Sequence, residues 1–232
     1  MSADILDCLL RFLMYIIPCV IIFLPLRFIT RIPGYVFRKI LHMIAFTCTT
    51  LMIAVANTWQ AAALTSILIA VCVYPLLAWA ERMPWYSRLF VEKKPGEIKK
   101  SLLLLFFMFA GVTAAAWGIF GRPDIAAVSI LMWGTGDGAA ALTGIPYGKH
   151  KIRWKGTDGK KSYEGTSAFI LVSLTAGTVF FQFYEHIAVR GFFLPVCGAA
   201  IAGALTELYS DSVYDTVTVP VMVMTVLLLW MR

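Results

Sequence analysis

Trp133–Ala168 reads WGTGDGAAALTGIPYGKHKIRWKGTDGKKSYEGTSA and lies between two long apolar runs. Its eight glycines, Gly134, Gly136, Gly138, Gly144, Gly148, Gly156, Gly159 and Gly165, offer backbone that can approach a ligand without a side chain in the way. Lys149, Lys151, Arg153, Lys155, Lys160 and Lys161 add positive charge, so an anion is the natural guest. Asp137 and Glu164 are then acids in a basic site, and beside phosphates the common use of a carboxylate is to hold a divalent cation. The stretch predicts a nucleotide-phosphate site, and the apolar runs on either side place that site at a membrane surface.

The rest of the composition agrees. Of 232 residues, 60% are hydrophobic and only 14% charged, and the mean hydropathy is +0.80. Such a chain is too apolar for a soluble domain and predicts an all-α polytopic membrane protein. Its apolar segments approach the ~20 residues that cross a hydrocarbon core of ~30 Å. Eight spans are expected, over 8–26, 40–56, 60–80, 101–120, 124–143, 167–184, 192–208 and 214–231. With no fixed-period repeat and no low-complexity linker, residues 1–232 form one domain. The N-terminus lacks the basic start and cleavage site of a signal peptide, so the first apolar run is expected to stay as a span. The five cysteines form no CxxC pair and read as buried thiols.

The net charge of +7 does not point to nucleic acid, because the basic residues are confined to short connections between apolar runs. Sixteen of the 20 fall in connections 27–39, 81–100 and the glycine-rich one. Arg122, Arg190 and Arg232 fall on the other side, and Arg11 lies within the first span. Basic residues are retained on the cytoplasmic side. Both termini are therefore expected on the non-cytoplasmic side, with 27–39, 81–100, 144–166 and 207–215 forming a cytoplasmic site. Asp137, Glu164, Glu207, Asp211 and Asp215 all fall at cytoplasmic span ends in that arrangement, where ionisable groups are costly and mark function.

Three further motifs contribute. In RKILH, helical spacing puts Arg38 and His42 on one face with Lys39 adjacent; His42 lies a turn deeper than an anchor needs to be, where it could position a phosphate or take a proton. EKKPGEIKK, Glu92–Lys100, reads chiefly as a solvated loop, with Lys93 and Lys94 able to meet a phosphate or an anionic head group. Glu207, Asp211 and Asp215 are spaced by four residues. On a continuous helix they would share a face and repel without a bridging cation, and on a broken helix the cluster of acids would remain. In KKSYEGT, Lys160, Lys161 and Ser162 offer donors just before Glu164, Gly165 and Thr166, at a helix N-terminus that favours phosphate. The stretch is neither a Walker P-loop nor a GxGxxG fingerprint, and the chain has no GxSxG elbow and no HExxH.

Taken together, RKILH, the PGE of residues 95–97, GTGDGAAALTGIPYGK, WKGTDGKKSYEGTSA and the late EL followed by Asp215 and TVP resemble the CTP-dependent lipid-alcohol kinases that include dolichol kinase and phytol kinase. The resemblance implies transfer of the CTP γ-phosphate to the hydroxyl of a membrane isoprenoid alcohol of the dolichol, polyprenol or phytol type. It implies Mg²⁺ held by Asp137 with Glu207 or Asp215, and catalytic roles for Asp137, Lys161 and His42. The nucleotide would be held by Arg38, Lys39, Gly136, Gly138, Lys149, Lys160, Lys161, Ser162, Glu164, Gly165 and Thr166. The active face would be cytoplasmic, in a prokaryotic plasma membrane or the endoplasmic reticulum. A CTP-dependent diacylglycerol kinase, a cytidylyltransferase and a lipid or anion transporter are the alternatives; a transporter predicts an inverted repeat, which the sequence lacks.

Overall fold

A computed structural model describes residues 1–30, 32–89, 92, 96–157, 159–184, 189–210 and 214–231, the side chains of Phe28, Arg88, Leu89, Val189 and Arg190 excepted. The described residues form helices α1 (Ser2–Ile29), α2 (Gly34–Ala54), α3 (Trp59–Ala80), α4 (Tyr86–Leu89), α5 (Glu97–Thr113), α6 (Pro123–Tyr147), α7 (Tyr163–Tyr184), α8 (Val189–Tyr209) and α9 (Asp215–Trp230). A π-helical turn, Ala114–Ile119, extends α5. No strand occurs among the described residues, only one antiparallel bridge between Lys151 and Ser162. The protein is an all-α polytopic membrane protein.

Local chemistry sets the helix ends. Pro123 opens α6 at its first position, where a missing N–H costs nothing. Thr58 caps α3 by accepting a hydrogen bond from the Ala61 amide at 3.3 Å. Gly96 precedes α5 with φ of 75°, a left-handed conformation that glycine adopts without strain. Glu92 fixes that entry by accepting from the amides of Gly96 (3.0 Å) and Ile98 (3.1 Å).

Among the described residues, seven helices are long and apolar enough to cross a membrane. The eighth expected span is present as α9 but has only 16 residues, short of the ~20 that cross a full hydrocarbon core. It packs against α8 and α6. The centre of the bundle is α6, which meets α7 and α2 over long faces, while α3 pairs with α5 and α8 with α9. Large apolar side chains remain exposed on the outside, among them Ile22, Leu171, Phe183 and Leu194, as a lipid-facing surface requires.

Two span limits move at this level, and the open question of the late acids is decided. The fifth span does not stop at residue 143: α6 continues to Tyr147, which puts Gly144 and Pro146 in the helix rather than in the connection that follows. The second span begins before residue 40, since α2 starts at Gly34 and takes in all of RKILH. Glu207 and Asp215 do not share one continuous helix: α8 ends at Tyr209 and α9 begins at Asp215, so the acids are brought together by a break. Asp211, Lys93 and Lys94 lie outside the described residues.

Candidate functional site

Alternation of the spans gathers the start of α2, the end of α6, the entry to α7, the end of α8 and the start of α9 at one end of the bundle. Asp137 is the deepest charged group there, ten residues or roughly 15 Å before the last residue of α6. Its Oδ2 accepts a hydrogen bond from the Lys39 ammonium at 2.7 Å and lies 4.0 Å from His42 Nε2. The two residues of RKILH that face inward therefore converge on it. His42 also leans on Phe46 one turn below, with ring centroids 4.7 Å apart.

A second pair stands beside the first. Glu207, near the end of α8, is 3% exposed and accepts a hydrogen bond from the Lys161 ammonium. Burial works against the Lys161 charge, but the Glu207 carboxylate outweighs it and holds the lysine above its ordinary pKa. Asp215, at the first residue of α9, lies within electrostatic reach of Asp137 and Lys161. Arg38 donates to Glu97 at 3.0 Å, tying the start of α2 to the start of α5.

All of these groups except Lys161 line a single cavity of about 950 Å³. Asp137, Glu207, Asp215, Lys39, His42 and Arg38 form its charged end, and the remaining lining from α1, α2, α3 and α5 is almost wholly apolar. The predicted metal ligands Asp137, Glu207 and Asp215 thus share a cavity. Among the described residues no three His, Cys, Asp or Glu side chains stand together as a ready-made ion cage, and Lys39 and Lys161 hold two of the carboxylates. As hard oxygen donors on one cavity, the three suit Mg²⁺ by their chemistry.

The other predicted residues are placed differently. Gly136 and Gly138 lie inside α6, where a Cβ would meet Phe169 at 2.9 Å and Met43 at 2.5 Å, so they serve helix packing rather than an open phosphate cradle. Ser162 caps α7, accepting from the Gly165 amide at 3.2 Å. Gly165 packs on Gly144, where a Cβ would come within 3.0 Å of the Ala140 carbonyl. Glu164 accepts from the His150 amide and stands 2.6 Å from His150 Nδ1, which pins the connection 148–162 to the top of α7. Thr166 Oγ1 is buried without a hydrogen-bond partner. Lys149 and Lys160 are exposed on that connection. Ile152, 1% exposed, anchors it, and paired backbone bonds (Ile152 amide to the Lys161 carbonyl, Tyr163 amide to the His150 carbonyl) deliver Lys161 toward Glu207.

Sequence reasoning gave no site role to Glu97 or to Trp133, which also line the cavity. The position of Glu97 just after Pro95-Gly96, at a span entry, is a signal that could have found it.

This fold and site define a class: a multi-pass membrane protein with a hydrocarbon-lined cavity that ends on paired lysines and carboxylates. Over 118 residues the chain is 35% identical to the phytol kinase of Synechocystis sp., a match that covers 50% of this chain and 49% of that relative. The match thus spans about half the length of the curated relative. No family model matches the chain, and no solved structure matches it. The similarity supports a phytol or polyprenol kinase-like family.

Proposed function

We propose that this protein is a membrane lipid-alcohol kinase that transfers the γ-phosphate of CTP to the primary hydroxyl of an isoprenoid alcohol of the phytol or polyprenol type. The observation that carries the reading is the junction of a 950 Å³ apolar cavity with Lys39, His42, Asp137, Glu207 and Asp215. An alcohol with a long hydrocarbon tail suits such a cavity, and its hydroxyl would lie among the charges.

Phosphoryl transfer asks a protein mainly for alignment and charge neutralisation. Lys39 and Lys161 are placed to turn from their carboxylate partners to a triphosphate, with Arg38 beside them at the mouth. Asp137, Glu207 and Asp215 are the residues that would hold Mg²⁺, whose chemistry there is to neutralise phosphate charge. The alcohol oxygen forms a bond to the γ-phosphorus, the bond from that phosphorus to the bridging oxygen of CDP breaks, and the hydroxyl proton passes to His42 or Asp137. The apolar walls keep water, a competing acceptor, away from the γ-phosphate. By the distribution of basic residues this end of the bundle is cytoplasmic.

The test is incubation of purified protein with γ-labelled CTP or ATP, Mg²⁺, and phytol, geranylgeraniol, a long polyprenol or diacylglycerol in turn. Label is expected in an isoprenoid phosphate with CTP as the better donor. Label in phosphatidate alone would make the protein a diacylglycerol kinase, and a CDP-lipid with pyrophosphate would make it a cytidylyltransferase; either result overturns the proposal.

A further inference from the structure

The cavity walls are not alike. Its charged end is built by α2, α6, α8 and α9, whereas the apolar part is closed from the outside by α1 and α3. From α1, Leu9, Phe12, Leu13, Ile16 and Val20 line it at helical spacing, one continuous stripe. From α3, Leu68, Cys72 and Leu76 face them.

An aromatic layer stands beneath the charged end on its α2 and α6 side. Phe12 meets Phe106 edge-on at 6.0 Å, Phe106 meets Phe109 at 5.3 Å, Phe109 meets Trp133 at 6.1 Å, and Trp133 meets Phe46 at 4.5 Å. Phe46 and Phe109 are fully buried, and neither reaches the cavity. Trp133 and Phe46 sit one turn below Asp137 and His42 respectively. A chain whose hydroxyl lies at Asp137 therefore meets these rings on the α2 and α6 side, and the apolar lining it can follow lies toward α1 and α3.

That side is also the one open to lipid. Leu13, Leu68 and Leu76 line the cavity yet are 36%, 39% and 62% exposed, and Cys72 is exposed as well. The helix α1 is lightly held. Among its described side chains only Cys8 and Phe12 are buried, both in its N-terminal half, where Thr65 also donates to the Ile5 carbonyl at 3.3 Å. Beyond Phe12 no described side chain of α1 is fully buried, Tyr15 and Ile16 are only partly buried against the core, and Pro18 and Pro25 interrupt its hydrogen-bond ladder.

We propose that the α1–α3 seam is the lateral entry for the acceptor lipid, and that the α1 stripe is the wall against which its hydrocarbon chain lies during transfer. This rests on the lipid-alcohol kinase reading. The part of α1 beyond Phe12 moves aside to admit the chain from the bilayer and packs on it afterwards, so Leu13, Ile16 and Val20 set how well a given chain is held.

The experiment uses the full-length protein in lipid nanodiscs and a phytol analogue carrying a diazirine near the chain terminus. Photolysis followed by peptide mass spectrometry is expected to place adducts on α1 between Leu9 and Val20 and on α3 between Leu68 and Leu77, falling about tenfold with excess phytol. Adducts confined to α7 or α8, or adducts that excess phytol does not reduce, overturn the proposal. The same analogue is assayed with CTP in the dark. Phosphorylation with adducts elsewhere sinks the entry path while the kinase reading stands, and adducts at the seam with no phosphorylation sinks the kinase reading. A second readout is Leu13→Trp/Ile16→Trp, expected to lower kcat/KM for phytol about tenfold with KM for CTP unchanged. An unaltered kcat/KM in that variant counts against the stripe.

Discussion

Asp137 and Glu207 meet the same problem, a carboxylate at membrane depth, with the same solution, a lysine delivered from another element. Lys39 comes from one turn inside α2, and Lys161 comes from the bridged connection ahead of α7. For Asp137 the consequence, in the proposed reaction, is catalytic. Asp137→Asn keeps the shape and a hydrogen bond to Lys39 but loses the charge, so alcohol phosphorylation is expected to fall at least about a hundredfold. The variant should still enter the membrane and elute as a single species, and wild-type-like turnover would remove Asp137 from the mechanism. For Glu207 the consequence is also structural, since it is 3% exposed. Lys161→Met leaves that carboxylate buried and unpaired, at a cost of about 3–5 kcal/mol. Thermal unfolding of the variant should shift downward, and Lys161→Met/Glu207→Gln should recover most of the shift without recovering activity. Recovery of activity in the double variant would show that neither side chain takes part in transfer.

Among the elements, the α6–α7 pair does most to position the site. α6 carries Asp137, α7 receives the connection that carries Lys161, and the two helices approach closely at Gly144 and Gly165. Gly165→Val would force a side chain against the Ala140 carbonyl, and overpacking of this kind costs about 1–3 kcal/mol. Unfolding temperature should fall accordingly, with activity falling further because Lys161 is displaced. Ser162→Ala removes the α7 cap and is expected to cost about 1 kcal/mol, measured by the same melt. A variant as stable as wild type would mean that the Gly165 amide finds another acceptor. Both residues were read from the sequence as phosphate contacts. A glycine or a serine next to lysines looks the same in sequence whether it serves a ligand or a helix contact, and only the neighbour's position separates the two. Gly136 and Gly138 illustrate the point: beside Asp137 they look like phosphate contacts, but they face Phe169 and Met43 inside the bundle.

Taken whole, the molecule is a bundle with one charged end and one apolar surround. If the lysine-rich end is cytoplasmic, a cysteine introduced at Lys155 should react with an impermeant maleimide only from the cytoplasmic face, and one at Asn57, in the α2–α3 connection, only from the other. Both positions are exposed. Labelling of the two from the same side would break the alternation on which the site rests. What the sequence by itself determined is the class of fold, the approximate spans and the short list of charged residues, because crossing a hydrocarbon core leaves a long apolar signature that charges interrupt only with a reason. It also singles out Lys39, His42, Asp137, Lys161, Glu207 and Asp215 by charge and motif alone. Only the tertiary structure decided which acid meets which lysine, which glycines are packing contacts, and that the apolar cavity ends on these charges beside a loosely held α1. Those facts depend on contacts between residues as far apart as Lys39 and Asp137 or Lys161 and Glu207, and neither local spacing nor composition records which distant faces of separate helices come together.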